Sequence, residues 1–160
     1  MSPERRVVGI AEGGVVRGEG ELVSHALGSC IGICLYDRAR RIAGMAHILL
    51  PSREVALEQS NPYKFADSGT EELIRAMERQ GAVRSELTAK LAGGARMFRV
   101  GEGQTCVGER NIAAARQALQ ARRIPILAQD VGADYGRSIC FSARTGALHI
   151  RTVRAGERTL

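Results

Sequence analysis

Two residues in the N-terminal third have side chains suited to covalent chemistry, and their spacing can bring them together. Cys30 follows Gly28-Ser29 at the mouth of the apolar run "CIGICLYD", and His47 interrupts a second apolar run, "RIAGMAHILL". A cysteine attacks as its thiolate, so it needs a lowered pKa or a nearby base, and a position that is partly open. An imidazole between Ala46 and Ile48 is costly to bury without a partner. If Asp37 to Arg41 makes the turn of a hairpin, residues seven before and six after it sit close to opposite one another, and these are Cys30 and His47. The plainer alternative stands beside this one: free cysteine is among the most buried residue types, and a lone strand histidine is commonly hydrogen-bonded structure.

The other candidates carry less. Cys34 lies four residues along the same run, deeper among apolar neighbours, and reads as core packing. Cys106 and Cys140 have no suitably placed base. His25 and His149 have no neighbours that define a role, and the alternation around His149 reads as solvent-facing or structural. Three histidines so widely spaced, with no HExxH pairing and no CxxC, indicate neither a metal site nor a disulfide framework. "GEGQ" and "AGGA" lack the Lys-Ser/Thr of a phosphate loop, so they read as tight turns or close backbone approaches.

These residues must be positioned by a mostly extended chain. "RRVVGIAEG" reads as a first strand closed by glycines and "GELVSHAL" as a second extended piece. The two apolar runs around "RAR" form a well-buried hairpin. Ser52 to about Pro62 is polar and proline-marked, a loop that could border a site. "TEELIRAMERQG" is a helix ended by Gly81, and a second helix covers about Glu109 to Arg122, with Ile112, Ala115, Arg116 and Leu119 spaced at three and four. "ELTAKLAGGARMF" reads as a strand that breaks at Gly93-Gly94 and resumes. "IPILAQDVG" and "SICFSARTGALHIRTV" complete the chain, the latter as two strands around a turn at Thr145-Gly146. Strands outnumber helices without regular βαβ alternation, so the fold class is α+β, a single layered domain over residues 1–160 with mixed or antiparallel sheets and two main helices.

Composition bounds the partners. The net charge is +6, yet aromatics make up only 4% and tryptophan is absent, which leaves little base-stacking surface, and the arginines are scattered. Nucleic-acid binding rests on charge alone, and an acidic partner is the broader implication. No apolar segment approaches the roughly 20 residues that span a bilayer, and no signal-peptide core follows "MSPERR", so a cytoplasmic monomer is the default.

The quoted pieces become specific in order. "LGSCIGICLYD", "AGMAHILLP", "KLAGGARMF", "VGERN" and "DVGADYGRS" together closely resemble the chemoreceptor glutamine deamidase CheD family of bacterial and archaeal chemotaxis, over nearly the whole chain. The resemblance implies a fold of the cysteine-hydrolase, cytotoxic necrotizing factor-like type. It implies hydrolysis of glutamine side-chain amides on methyl-accepting chemoreceptors to glutamate and ammonia, with no cofactor. Carried over by position, Cys30 is the nucleophile and His47 the general base. The third member is commonly a threonine six residues before the cysteine; here it is Ser24, which keeps the hydroxyl and drops the β-methyl. Ala133 stands where another glycine is common, which implies a local loop difference. Some members also dock on a CheC-type phosphatase, so a non-catalytic regulatory binding role is the alternative. An amidase acting on a small molecule would use the same Cys-His pair.

Overall fold

The computed structural model describes residues 3–52, 60–97 and 106–160. Within them the chain forms ten strands and two α-helices arranged as two five-stranded mixed sheets with both helices against one of them. The first sheet has the order β1 (Arg5–Val7), β3 (Glu21–Leu27), β8 (Arg137–Ser142), β9 (Leu148–Thr152) and β10 (Gly156–Thr159). In the second, β2 (Gly13–Arg17), β5 (Ile42–Ile48), β4 (Ile31–Asp37), β6 (Thr88–Gly93) and β7 (Ile126–Val131) lie side by side. One pair in each sheet is parallel, β1 with β3 and β6 with β7; the others are antiparallel.

The hairpin of β4 and β5 is the centre of the molecule, and every residue of both strands is buried. Strand alternation explains why. Ile31, Ile33 and Leu35, with Ile42, Ala46 and Ile48, face helices α1 (Ala66–Arg79) and α2 (Val107–Ala121), where Leu73, Ile74, Met77, Ala115 and Leu119 meet them. The alternate residues Cys34, Tyr36, Ala43 and Met45 face the first sheet and pack on Leu22, Ile139, Phe141, Leu148 and Ile150. A strand covered on both faces reads as a continuous apolar run, which is the pattern of "CIGICLYD". Any polar side chain on the inner face of this hairpin must therefore find its partner between the sheets.

Several expectations need correction. The turn occupies Arg38–Arg41, and Asp37 pairs with Ile42, so the Cα partner of His47 is Gly32 rather than Cys30. Gly13 and Gly14, read as strand terminators, belong to β2. A β-carbon on Gly13 would fall 2.2 Å from the Tyr63 ring, so close packing rather than a turn explains that glycine. Helix α1 begins at Ala66, one turn before the expected Thr70, because Gly69 is a packing residue: a β-carbon there would come within 2.5 Å of Ile48. The helix does end as expected, with Gly81 at φ +106° just beyond it. Strand β6 stops at Gly93 and does not resume over residues 94–97. Residues 53–59 of the expected loop, Phe98, and "GEGQ" lie outside the described residues.

Candidate active site

Cys30, His47 and Ser24 are delivered by three separate strand segments. His47 is the second-last residue of β5, on the face turned to the first sheet. Cys30 sits immediately before β4, two residues from Gly32, and therefore on the same face and diagonal to His47. A one-residue slip would have put the two on opposite faces; the two-residue offset keeps them together. Ser24 comes from β3, just before a bulge that separates the Ser24 and Leu27 pairings and turns His25 and Ala26 outward.

The hydrogen bonds around Ser24 determine which ring nitrogen of His47 is protonated. Ser24 Oγ donates its one proton to the Val8 carbonyl at 2.7 Å and lies 2.7 Å from His47 Nδ1. With that proton committed, the hydroxyl meets the ring as an acceptor, so Nδ1 carries the hydrogen and Nε2 the lone pair. Nε2 is buried and has no hydrogen-bond partner among the described residues. Leaving a buried polar atom unpaired costs about 1–3 kcal/mol, so an open base here is retained against stability. The His47 backbone is held in turn: its N–H donates to the Glu12 carbonyl, and its carbonyl accepts from Ala11 N–H.

Burial disfavours the charged form of both groups. Burial lowers the His47 pKa from the ordinary 6.5, against smaller upward pulls from the Val8 backbone and the Glu12 carboxylate. Burial raises the Cys30 thiol above its ordinary 9.0, opposed by its own backbone N–H. Cys30 is 7% exposed and His47 2%. The thiol and the imidazole share one face of the hairpin, two residues out of register, and each is in its neutral form where burial leaves it.

The loop before Cys30 is anchored on its other side. Gly94 N–H donates to the Cys30 carbonyl at 2.8 Å, and Ala95 N–H to the Gly28 carbonyl at 2.9 Å. Gly93 and Gly94 have φ values of +110° and +66°, and a β-carbon on Gly93 would lie 2.4 Å from Cys30 O. "AGGA" is thus a close backbone approach that lets β6 press against the loop at residues 28–30. Ala133 also has a positive φ, +59°, a backbone conformation that glycine adopts at less steric cost.

One further residue belongs here that its sequence position alone did not single out. Asn111 of α2 is fully buried, and its side-chain amide donates to Ser29 O at 2.9 Å and Leu49 O at 3.0 Å. Its own oxygen has no partner among the described residues. The available signal was spacing: Asn111 shares the buried face of α2 with Gly108, Ala115 and Ala118, a polar residue in an apolar stripe.

The remaining cysteines and histidines lie apart from this group. Cys34 is fully buried between the sheets with its thiol pKa pushed up, in keeping with core packing. Cys106 caps α2 without a side-chain capping bond, and Cys140 donates to Glu21 at 2.8 Å with its thiol pushed up to about 11. His149 meets Thr159 and Glu157 on the exposed side of the first sheet, as its alternation implied, and His25 is exposed.

Two mixed sheets with both helices against one of them define an α+β protein, and Cys30, His47 and Ser24 lie buried between the sheets. Comparison with known proteins then specifies the lineage: the chain belongs to the CheD family, described as CheD chemotactic sensory transduction, whose model matches residues 49–152. Relatives extend the match over the N-terminal segment that holds Ser24, Cys30 and His47. A protein of Syntrophomonas wolfei named "Probable chemoreceptor glutamine deamidase CheD" is 45% identical over 96% of both chains. A protein of Halalkalibacterium halodurans named "Chemoreceptor glutamine deamidase CheD" is 42% identical over 96% of both, and one from Haloarcula marismortui is 38% identical over 99% of this chain and 91% of its own. Among solved structures, the Bacillus licheniformis hypothetical protein YfiH overlaps 69% of this chain and 46% of its own, with a TM-score of 0.40 and 16% identity. No helix of the described residues is long and apolar enough to cross a membrane.

Proposed function

We propose that this protein hydrolyses the side-chain carboxamide of selected glutamines on chemoreceptors, producing glutamate and ammonia, with Cys30 as nucleophile, His47 as general base and acid, and Ser24 as the residue that orients His47. The observation that carries the proposal is the open Nε2 of His47, presented on the Cys30 face of the hairpin by a hydroxyl whose only proton is already committed to Val8.

The steps balance as follows. His47 Nε2 takes the Cys30 thiol proton as sulfur bonds to the carboxamide carbon, and the carbonyl electron pair moves to oxygen. Collapse of that intermediate breaks the C–N bond while His47 returns the proton to nitrogen, releasing ammonia and leaving a thioester. Water then loses a proton to His47 and attacks the thioester carbon; the C–S bond breaks and the sulfur recovers the proton. Because both groups start neutral, the charge pair forms only once the substrate has displaced water. Each turnover converts a neutral glutamine into a carboxylate, which changes helix–helix repulsion in the receptor.

We take the chain as one domain over residues 1–160, of the cysteine-hydrolase type, acting in the cytoplasm as a monomer on a receptor helix without nucleic acid. A purely regulatory docking role on a CheC-type phosphatase would leave the open imidazole unused. The test is mass spectrometry of chemoreceptors co-expressed with the protein. Wild type is expected to produce the one-dalton Gln-to-Glu gain and Cys30→Ala none; conversion by the variant would overturn the assignment of Cys30.

A further inference from the structure

The nucleophile loop is pinned by all three of its carbonyls, and the middle one depends on a single side chain. Ala95 N–H holds Gly28 O and Gly94 N–H holds Cys30 O, both main-chain contacts that survive changes of side chain. Ser29 O is held by Asn111 Nδ2 at 2.9 Å. In a trans peptide the C=O and the following N–H point in opposite directions, so anchoring Ser29 O fixes where the Cys30 N–H points, and anchoring Gly28 O does the same for the Ser29 N–H. Neither N–H donates to a carbonyl among the described residues. Two N–H groups without a carbonyl partner beside a thiol are the donors that a carbonyl oxygen needs as it becomes an oxyanion.

The second Asn111 bond reaches across the hairpin. The β4–β5 ladder ends at the Ile31–Ile48 pair, and the next residues, Cys30 and Leu49, are not paired. Leu49 leaves the strand to donate to Lys64 O, while its own carbonyl accepts from Asn111 at 3.0 Å. One buried amide therefore spans the gap where the strands part, joining the residue before the nucleophile to the second residue after the base.

We propose that Asn111 is the positioning residue that sets the Ser29–Cys30 peptide, so that the Cys30 N–H stays turned toward the reacting carbonyl oxygen and the nucleophile loop stays in register with His47. This rests on the amide hydrolysis proposed above. Among the described residues Asn111 makes no hydrogen bond to the thiol or the imidazole; it acts through the peptide.

The test compares wild type, Asn111→Asp, Asn111→Ala and Cys30→Ala. Ammonia release from a receptor cytoplasmic fragment gives kcat and KM, and thermal unfolding reports folding. The plateau rate of Cys30 alkylation by iodoacetamide, measured above the thiol pKa, reports nucleophile access. Alkylation forms no oxyanion, so it separates peptide orientation from general integrity. The aspartate variant keeps the volume but loses donors, and it carries the test should the alanine variant fail to fold. The expected result is a kcat lower by about 10²–10³-fold, with KM and the alkylation rate within about threefold of wild type. Unchanged kcat in Asn111→Asp would overturn the inference, and so would deamidation and alkylation falling in the same proportion. Wild type that is alkylated yet releases no ammonia would defeat the deamidase reading and this inference together, an outcome distinct from one confined to the Asn111 variants.

Discussion

Two polar clusters tie the helices of this protein to its sheets and loops, and they differ in how completely they close. Around Glu71 of α1, each carboxylate oxygen accepts two hydrogen bonds: Oε1 from Arg84 and Arg122, both at 3.0 Å, and Oε2 from Arg84 at 2.7 Å and Arg75 at 3.1 Å. The arginines hold this carboxyl at about 2. Around Cys30, by contrast, Ser24, His47 and Asn111 are more deeply buried, yet His47 Nε2 and Asn111 Oδ1 have no partner among the described residues. The Glu71 cluster binds α1 to the end of α2 and uses every acceptor. The other leaves a buried imidazole nitrogen open at the cost of stability, which is the difference expected between a brace and the reaction site proposed at Cys30.

The difference can be broken from either side. The largest effect belongs to Cys30→Ala, expected to abolish ammonia release while leaving the unfolding midpoint near wild type, as the removed sulfur is small. His47→Ala should lower kcat by roughly 10²–10⁴-fold, the range for loss of a general acid–base. Ser24→Ala frees Val8 O and the ring tautomer without removing the base, so a loss of about tenfold, worth about 1.4 kcal/mol, is expected in kcat, with Ser24→Thr retaining activity.

The pH profile sharpens the same contrast. Burial depresses the His47 pKa, so the acid limb of kcat/KM should fall below 6.5, and an inflection above that value would contradict a dry imidazole. Stability responds to the same group: below 6.5 the unfolded chain binds the proton more readily than the folded one, so stability is lost as pH falls through the depressed value. His47→Gln should remove that component in urea titrations.

At Glu71 the expected outcome is reversed. Glu71→Gln should leave kcat within about twofold and cost about 1–3 kcal/mol of stability. Glu71 stabilises the fold fully above its ordinary 4.5, and that contribution fades as pH falls toward about 2; the variant should lack this window. The smallest effect expected is a several-fold slowing of receptor deamidation as salt rises, from screening of the +6 charge against an acidic helix bundle.

The central hairpin was legible because a strand buried on both faces leaves a continuous apolar run, and the charged "RAR" marks its turn. The pairing of Cys30 with His47 was legible in parity but not in register: a turn of Arg38–Arg41 set Gly32 opposite His47, yet a shift of two keeps both side chains on one face. Glycines misled where they serve packing, at Gly13 against Tyr63 and at Gly69 against Ile48, since local sequence cannot show what presses on a missing β-carbon. Ser24 entered through family resemblance alone, because its partner Val8 lies 16 residues away and its partner His47 lies 23 away. Asn111 lay within the quoted "VGERN" and escaped a role, as a polar helix residue ordinarily faces water.

The proposed reaction depends most on a covalent bond between Cys30 and the substrate carbon, and rapid acid quenching during turnover with a receptor fragment, followed by intact-mass and peptide mapping, tests it directly. The expected result is a transient adduct on the Cys30 peptide with the mass of the receptor segment less one ammonia, absent from Cys30→Ala. Glutamate accumulating at the wild-type rate with no adduct at any quench time, and undiminished in Cys30→Ala, would contradict it.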